Sequence, residues 1–175
     1  MINYRSKYKV GSPGRGLREP RGVWQTVTMA RPPSLVSIGY EGRNLDDLIE
    51  NLRAQEVNVL VDVRLNPISR KPGLSKQRLA EALASDGIRY VHHRELGNPK
   101  DNRAGFREGE QASRERFRAL LAGQPAEMAL QHVSELMDGG VVALLCFERD
   151  HSQCHRGLIA AALVTTKPCL RVVTV

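Results

Sequence analysis

The sequence predicts an α/β fold: a single domain with a mainly parallel five-stranded sheet and helices on both faces. Three observations predict it. Strand-like and helix-like segments alternate from about residue 34 onward, the strand-like segments are short and nearly continuous apolar runs, and the connections between them are long enough to hold crossover helices. Because such crossovers are right-handed and the strands parallel, all strand C-termini fall on one edge of the sheet.

Residues 35–40 form the first apolar run, and Glu41, Gly42 and Arg43 turn the chain. Asn44 is a candidate N-cap; Leu45, Leu48, Ile49 and Leu52 then fall at i, i+3, i+4 and i+7, with Asp46 and Asp47 in the first turn, where the helix dipole favours acids. Residues 57–63 are β-branched and nearly continuous, a second strand that Pro67 ends. Ser75 is placed to cap a helix over residues 76–85, packed through Leu79, Ala82 and Leu83 and stopped by Gly87, before a third strand at residues 88–93. Residues 95–111 hold Gly97, Asn98, Pro99, Gly105 and Gly109 among many charges and read as a long loop. Helical pattern runs from Ser113 through Leu121, breaks at residues 123–125 and resumes with Met128, Leu130, Val133, Leu136 and Met137 until Gly139 and Gly140. Residues 141–147 are the fourth strand, Ser152 is a candidate N-cap for a helix through Val164, and residues 170–175 are the fifth strand.

At 175 residues the chain suits one domain, and no run approaches the roughly 18 apolar residues that a membrane span needs. The start of the chain also lacks the apolar core of a secretory signal, so a cytoplasmic protein with no membrane partner is expected. Three cysteines do not make a disulfide framework, and reduced thiols are expected. The formal charge of +7 is unevenly spread. Arg5, Lys7, Lys9, Arg15, Arg18, Arg21 and Arg31 face Glu19 alone, which leaves little basicity for residues 34–175. Residues 1–33 are rich in Gly and Pro without a sustained apolar period, so a disordered basic tail is expected, either a polyanion-binding arm or an extension ahead of a true start at Met29.

The most informative feature lies near the C-terminal end. A buried strand carries Cys146 and Glu148 outward, and Cys154, His155 and Arg156 follow where the next helix starts. The other strand ends bring Tyr40, Glu41 and Arg43; Asp62, Arg64, Ser69 and Arg70; and His92, His93, Glu95 and Asn98 to the same edge, where open α/β sheets bind ligands. Cys154, read in the first helical turn, is either a thiolate stabilised by the dipole and Arg156 or a small residue packing the helix onto the sheet. Cys146 reads as structural and Cys169, in the last strand, as packing. Arg64, Arg70 and Arg156 suit a phosphate or carboxylate, or else pair internally with Asp62 and Glu148. His92 and His93 point to opposite faces of a strand, so at most one faces the site.

Four stretches together resemble the family called domain of unknown function 488: Ser37, Ile38, Gly39 and Tyr40; Val61, Asp62, Val63 and Arg64 with Pro67, Ser69 and Arg70; Gly87, Ile88, Arg89, Tyr90, Val91 and His92 with Leu96 and Gly97; and Cys146, Glu148, Cys154, His155 and Arg156 with Leu158, Ile159 and Ala160. The resemblance covers about residues 35–175. It implies an α/β domain with this polar edge and brings no established activity; residues 1–33 and 98–110 inherit no role from it.

The expected function is an enzyme acting on a phosphorylated or otherwise anionic substrate. Cys154, His155, Glu148 and Asp62 are its candidate catalytic residues, and Arg64, Ser69, Arg70, Arg156, His92 and Cys146 its candidate substrate-binding residues. The alternatives are a module that binds a nucleotide or nucleic acid without catalysis, or a redox sensor built on Cys146 and Cys154. No cofactor is assigned. Zinc is not favoured, because adjacent Cys154 and His155 on a helix diverge and the spacing of the thiols is not that of a finger or ribbon. No Gly-x-Gly-x-x-Gly follows the first strand, and no Walker loop is present.

Overall fold

The structure, a computed structural model, describes residues 34–175; residues 1–33, with the expected disordered tail and start at Met29, lie outside them. Strands β1 (Ser34–Gly39), β2 (Val57–Asp62), β3 (Arg89–His92), β4 (Val141–Cys146) and β5 (Arg171–Thr174) form one sheet in the order β3-β2-β4-β1-β5, and every pair is parallel. The α/β architecture expected from the alternation is therefore the one observed. The central strand β4 is buried at every position, which is why its sequence, Val-Val-Ala-Leu-Leu-Cys, shows no polar alternation.

The connections are α1 (Leu45–Ala54), α2 (Lys76–Ser85), α3 (Arg103–Arg107), α4 (Gln111–Leu121), α5 (Gln124–Leu136) and α6 (Arg156–Thr166). Since successive strand residues face opposite ways, the sheet feeds two cores. Val36, Ile38, Leu60, Ala143 and Leu145 pack with Leu48 and Leu52 of α1 and Leu79 and Leu83 of α2. Leu35, Val61, Val142 and Leu144 pack with Phe117 of α4, Val133 of α5 and Ile159 and Leu163 of α6. At about 1.5–3 kcal/mol for each large apolar side chain fully buried, these cores are what holds the strand ends in register.

Local signals account for the termini of several elements. Asn44 caps α1 through a reciprocal capping box, its side chain accepting from the Asp47 amide at 2.8 Å while Asp47 accepts from the Asn44 amide at 2.9 Å. Ser75 stands at the N-cap of α2 without capping it; its hydroxyl instead accepts from the Ser69 amide at 3.0 Å and closes the loop after β2. Gly123 and Pro125, read as a break, begin α5 as its N-cap and an early first-turn residue.

Three expectations are corrected. Residues 95–111 are not a plain loop, because they contain 3-10 turns at Arg94–Leu96 and Lys100–Asn102 and the helix α3; Phe106 packs into the core and Asn102 bonds Asn98 and the Ser113 carbonyl, which orders the segment. Helix α6 begins at Arg156 with His155 at its N-cap, so Ser152 does not cap it and Cys154 precedes its first turn. Cys169 is exposed, since the chain turns through residues 167–170 before β5 begins.

A histidine pair joins α5 to the end of β3: His93 Nε2 lies 3.0 Å from His132 Nδ1. Burial, and then the charge of His132, hold the His93 pKa below its ordinary 6.5, although Glu95 opposes them. The folded form therefore takes up its proton less readily than the unfolded form. Stability from this group is fully present above pH 6.5 and falls as the pH drops through the lowered folded pKa. Denaturation midpoints measured from pH 7.5 to 5 should show this decline, and His93→Gln should flatten it.

Candidate functional site

The loops that leave β1, β2 and β4, with the segment that follows β3, enclose a cleft of about 670 Å³ at the C-terminal edge of the sheet. This is the edge that parallel topology predicts, and the reversal of strand order around β4 sends neighbouring loops to opposite faces and opens space between them.

The floor comes from the end of β4 and the turn before α6. Glu148 Oε2 lies 3.0 Å from Cys146 Sγ and 3.4 Å from Cys154 Sγ, and His155 Nδ1 lies 3.9 and 3.6 Å from the same two sulfurs. The ring of His155 is held by Nε2, which sits 3.0 Å from the Val63 carbonyl. A carbonyl only accepts, so Nε2 carries a hydrogen and Nδ1 is the atom turned toward the thiols. Because Cys154 and His155 precede the helix, their side chains do not diverge as neighbours on a helix do; the geometric objection to a shared ligand is thereby removed.

Arg156 lies behind the floor and is completely buried. Its Nε donates to Cys154 Sγ at 3.2 Å and its Nη2 to the Glu148 carbonyl, while Nη1 has no partner among the described residues. A buried guanidinium demands a counter-charge, and among the described residues no carboxylate pairs with it. Burial opposes charge on Cys154, but hydrogen bonds with Cys146 and His155 and the fields of His155 and Arg156 prevail and hold its pKa well below the ordinary thiol value. The hydrogen bond with Cys154, burial, and the charges of Cys154 and Glu148 push Cys146 well above it. The two thiols titrate as an interacting pair, with Cys154 favoured as the thiolate by its contacts with His155 and Arg156.

One wall is built on Asp62, at 0% exposure. It accepts from the Arg64 side chain and backbone amide and, at 2.7 Å, from Tyr90 Oη. Arg64 reaches on to Tyr40 Oη at 3.1 Å and the Leu74 carbonyl at 2.9 Å. Burial disfavours charge on Arg64, but the hydrogen bond and charge of Asp62 overcome it and raise its pKa. Burial, followed by the charge of Asp62, likewise raises the Tyr90 phenol. His92 donates from Nε2 to the Arg64 carbonyl at 2.9 Å, since that carbonyl can only accept.

The expected residues divide into two groups. Arg64, Ser69, Arg70, Cys146, Glu148 and His155 line the cleft, whereas Asp62, His92, Cys154 and Arg156 stand behind those that do. Asp62 and His92 hold Arg64, and Arg156 holds Cys154, so Arg64 and Arg156 are largely committed within the protein while Arg70 stays exposed. The opposite wall was expected only at Asn98. Lys100, Arg103 and Arg107 complete it, and Lys71, also not expected, lines the cleft from the loop after β2, its Nζ donating to the Tyr40 and Arg43 carbonyls at 3.0 and 2.7 Å. A signal was present, since residues 100, 103 and 107 stand at i, i+3 and i+7, a basic face in a segment read as loop.

Among the described residues no helix is long and apolar enough to cross a membrane. A family model described as Domain of unknown function DUF488 matches residues 44–163, most of the chain. No curated protein and no solved structure matches it significantly.

Proposed function

For a chain that belongs to the DUF488 family, whose name carries no activity, we propose from the site itself an enzyme that acts on a phosphorylated or otherwise anionic substrate held in this cleft. The observation that supports this reading is the charge of the lining. Arg64, Arg70, Lys71, Lys100, Arg103 and Arg107 line the cleft, against Glu148 as its only carboxylate among the described residues. Within the described residues none of Arg70, Lys100, Arg103 and Arg107 has a carboxylate partner, so their charge is available to a ligand. Exposed Ile68 and Phe147 add apolar surface at the rim, suited to a substrate with an uncharged part beyond its anion.

The chemistry belongs to the floor, where Cys146, Glu148 and His155 meet the cleft and Cys154 supports them from behind. His155, with Nε2 tied to the Val63 carbonyl, presents Nδ1 as the atom for proton transfer. This differs from the expected clamp of Arg64, Arg70 and Arg156, because two of those guanidinium groups already serve Asp62 and Cys154.

Calorimetry with inorganic phosphate and pyrophosphate tests the anion site. A charge-assisted contact contributes about 1.5–3 kcal/mol, so the double substitution Lys100→Glu with Arg107→Glu should weaken binding by roughly 100-fold or more. A panel of phosphorylated small molecules followed by mass spectrometry then tests catalysis, and turnover should disappear in His155→Gln while phosphate binding remains. Anion binding without turnover of any member would favour a binding module. Absence of both would sink the reading.

A further inference from the structure

The donor set on the cleft floor has a property that anion binding does not require. We propose that Cys146, Glu148, Cys154 and His155 form a tetrahedral site for one divalent zinc-class ion, with Cys146 Sγ, Cys154 Sγ, one Glu148 carboxylate oxygen and His155 Nδ1 as its ligands. The four donor atoms all lie within 4.8 Å of one another. A tetrahedral zinc ion, about 2.3 Å from sulfur and about 2.0–2.2 Å from nitrogen or oxygen, spaces its donors roughly 3.3–3.8 Å apart. The separations of 3.0, 3.4, 3.6 and 3.9 Å between sulfurs and the other two donors bracket that range, and the remaining pairs lie within 4.8 Å, so the cluster closes on an ion with side-chain movements of at most about 1 Å.

The surroundings match such a centre. The Val63 carbonyl accepts from His155 Nε2 at 3.0 Å, the outer contact that orients a metal-bound imidazole and leaves Nδ1 for the ion. Arg156 supplies the charge balance: two thiolates and a carboxylate carry three negative charges, which a divalent ion and the buried guanidinium neutralise. Its Nε, 3.2 Å from Cys154 Sγ, is placed as an N–H donor to a ligating thiolate. Cys146, Cys154 and His155 are buried, whereas Glu148 is only half-buried and borders the cleft. Two sulfurs and an imidazole select a borderline-soft ion over magnesium or calcium.

The inference rests on the proposed function only in placing the ion beside a substrate, and an occupied site takes over from proton transfer at His155, since Nδ1 then ligates the ion while Nε2 stays with the Val63 carbonyl; ion binding itself follows from the donor geometry. The test is titration of the reduced full chain with cobalt(II), which reports thiolate ligation by near-ultraviolet charge transfer and tetrahedral geometry by intense visible bands. Both should saturate at one cobalt per chain, vanish on addition of one equivalent of zinc, and persist in Cys169→Ser. Cys146→Ser and Glu148→Gln should each weaken zinc affinity at least tenfold against a chromophoric chelator; Glu148→Gln, at the half-buried position, keeps the test valid if the cysteine variant fails to fold. A pale octahedral spectrum, or bands lost in Cys169→Ser, would overturn the assignment. Lys100→Glu with Arg107→Glu should still bind cobalt normally, so failure of the metal site and failure of the anion site are read separately.

Discussion

Replacing Asp62 with Ala is expected to remove about 3–5 kcal/mol of folding stability, the cost of leaving a buried charge without its partner. Arg64 is only 5% exposed and depends on Asp62 for its counter-charge, while Tyr40 and the Leu74 carbonyl supply neutral contacts that do not replace it. The same carboxylate takes the half-buried Tyr90 hydroxyl and the buried Arg64 amide, so its loss also strands these two donors. Against a typical domain stability of about 5–15 kcal/mol, the variant should unfold at a much lower urea concentration. Converting Arg64 to Met in the same chain should recover a large part of the loss, because it removes the orphaned charge. A loss below about 1 kcal/mol in Asp62→Ala would mean that water or a neighbouring group satisfies Arg64, and that the wall does not depend on the pair.

Gly39→Ala is expected to disable the site through its backbone. A Cβ built on Gly39, the last residue of β1, would stand 1.9 Å from the Glu148 carbonyl oxygen, 2.6 Å from its carbon and 2.8 Å from the Arg149 Cα. Those are main-chain atoms of the loop that carries Glu148, so the loop must move and no rotamer change relieves the contact. The displaced carbonyl is also the acceptor for Arg156 Nη2. Stability should fall by about 1–3 kcal/mol, as for other overpacked positions, and cobalt binding should weaken at least tenfold because Glu148 leaves the cluster. Gly139→Ala is the control, since its added methyl meets nothing within 4 Å. Cobalt affinity in Gly39→Ala equal to that of the parent chain would show that the loop and the donor cluster move independently.

Much of this molecule was legible because its signals are local. The capping box at Asn44 involves residues three apart, and the apolar face of α1 repeats within two turns. The unbroken burial of β4, and of β2 at all positions but Asn58, follows from nearly continuous apolar runs, and parallel strands bring Arg64, Ser69, Cys146, Glu148 and His155 to one edge whatever their order. The family resemblance agrees with the match over residues 44–163, which includes three of the four stretches that carry it; the stretch at residues 37–40 precedes the match.

Which of these residues meets a ligand is not a local property. Arg64, Arg70 and Arg156 are the same side chain at comparable positions, yet the first is paired with Asp62, the second is exposed and the third is sealed behind Cys154. Nothing within a few residues of Arg156 specifies that the Glu148 loop will fold over it. Lys100, Arg103 and Arg107 likewise became a wall only because Phe106 found the core and Asn102 bonded Asn98 and Ser113, contacts that order a glycine-rich segment from a distance. The sequence by itself determined the strands, the longer helices, their parallel arrangement and the edge where the chemistry-bearing residues gather, since periodicity and strand direction are carried by near neighbours. Tertiary structure decided the strand order, the fate of each charge and the close approach of two thiols, an imidazole and a carboxylate, since burial and donor geometry depend on which distant segment packs against each group.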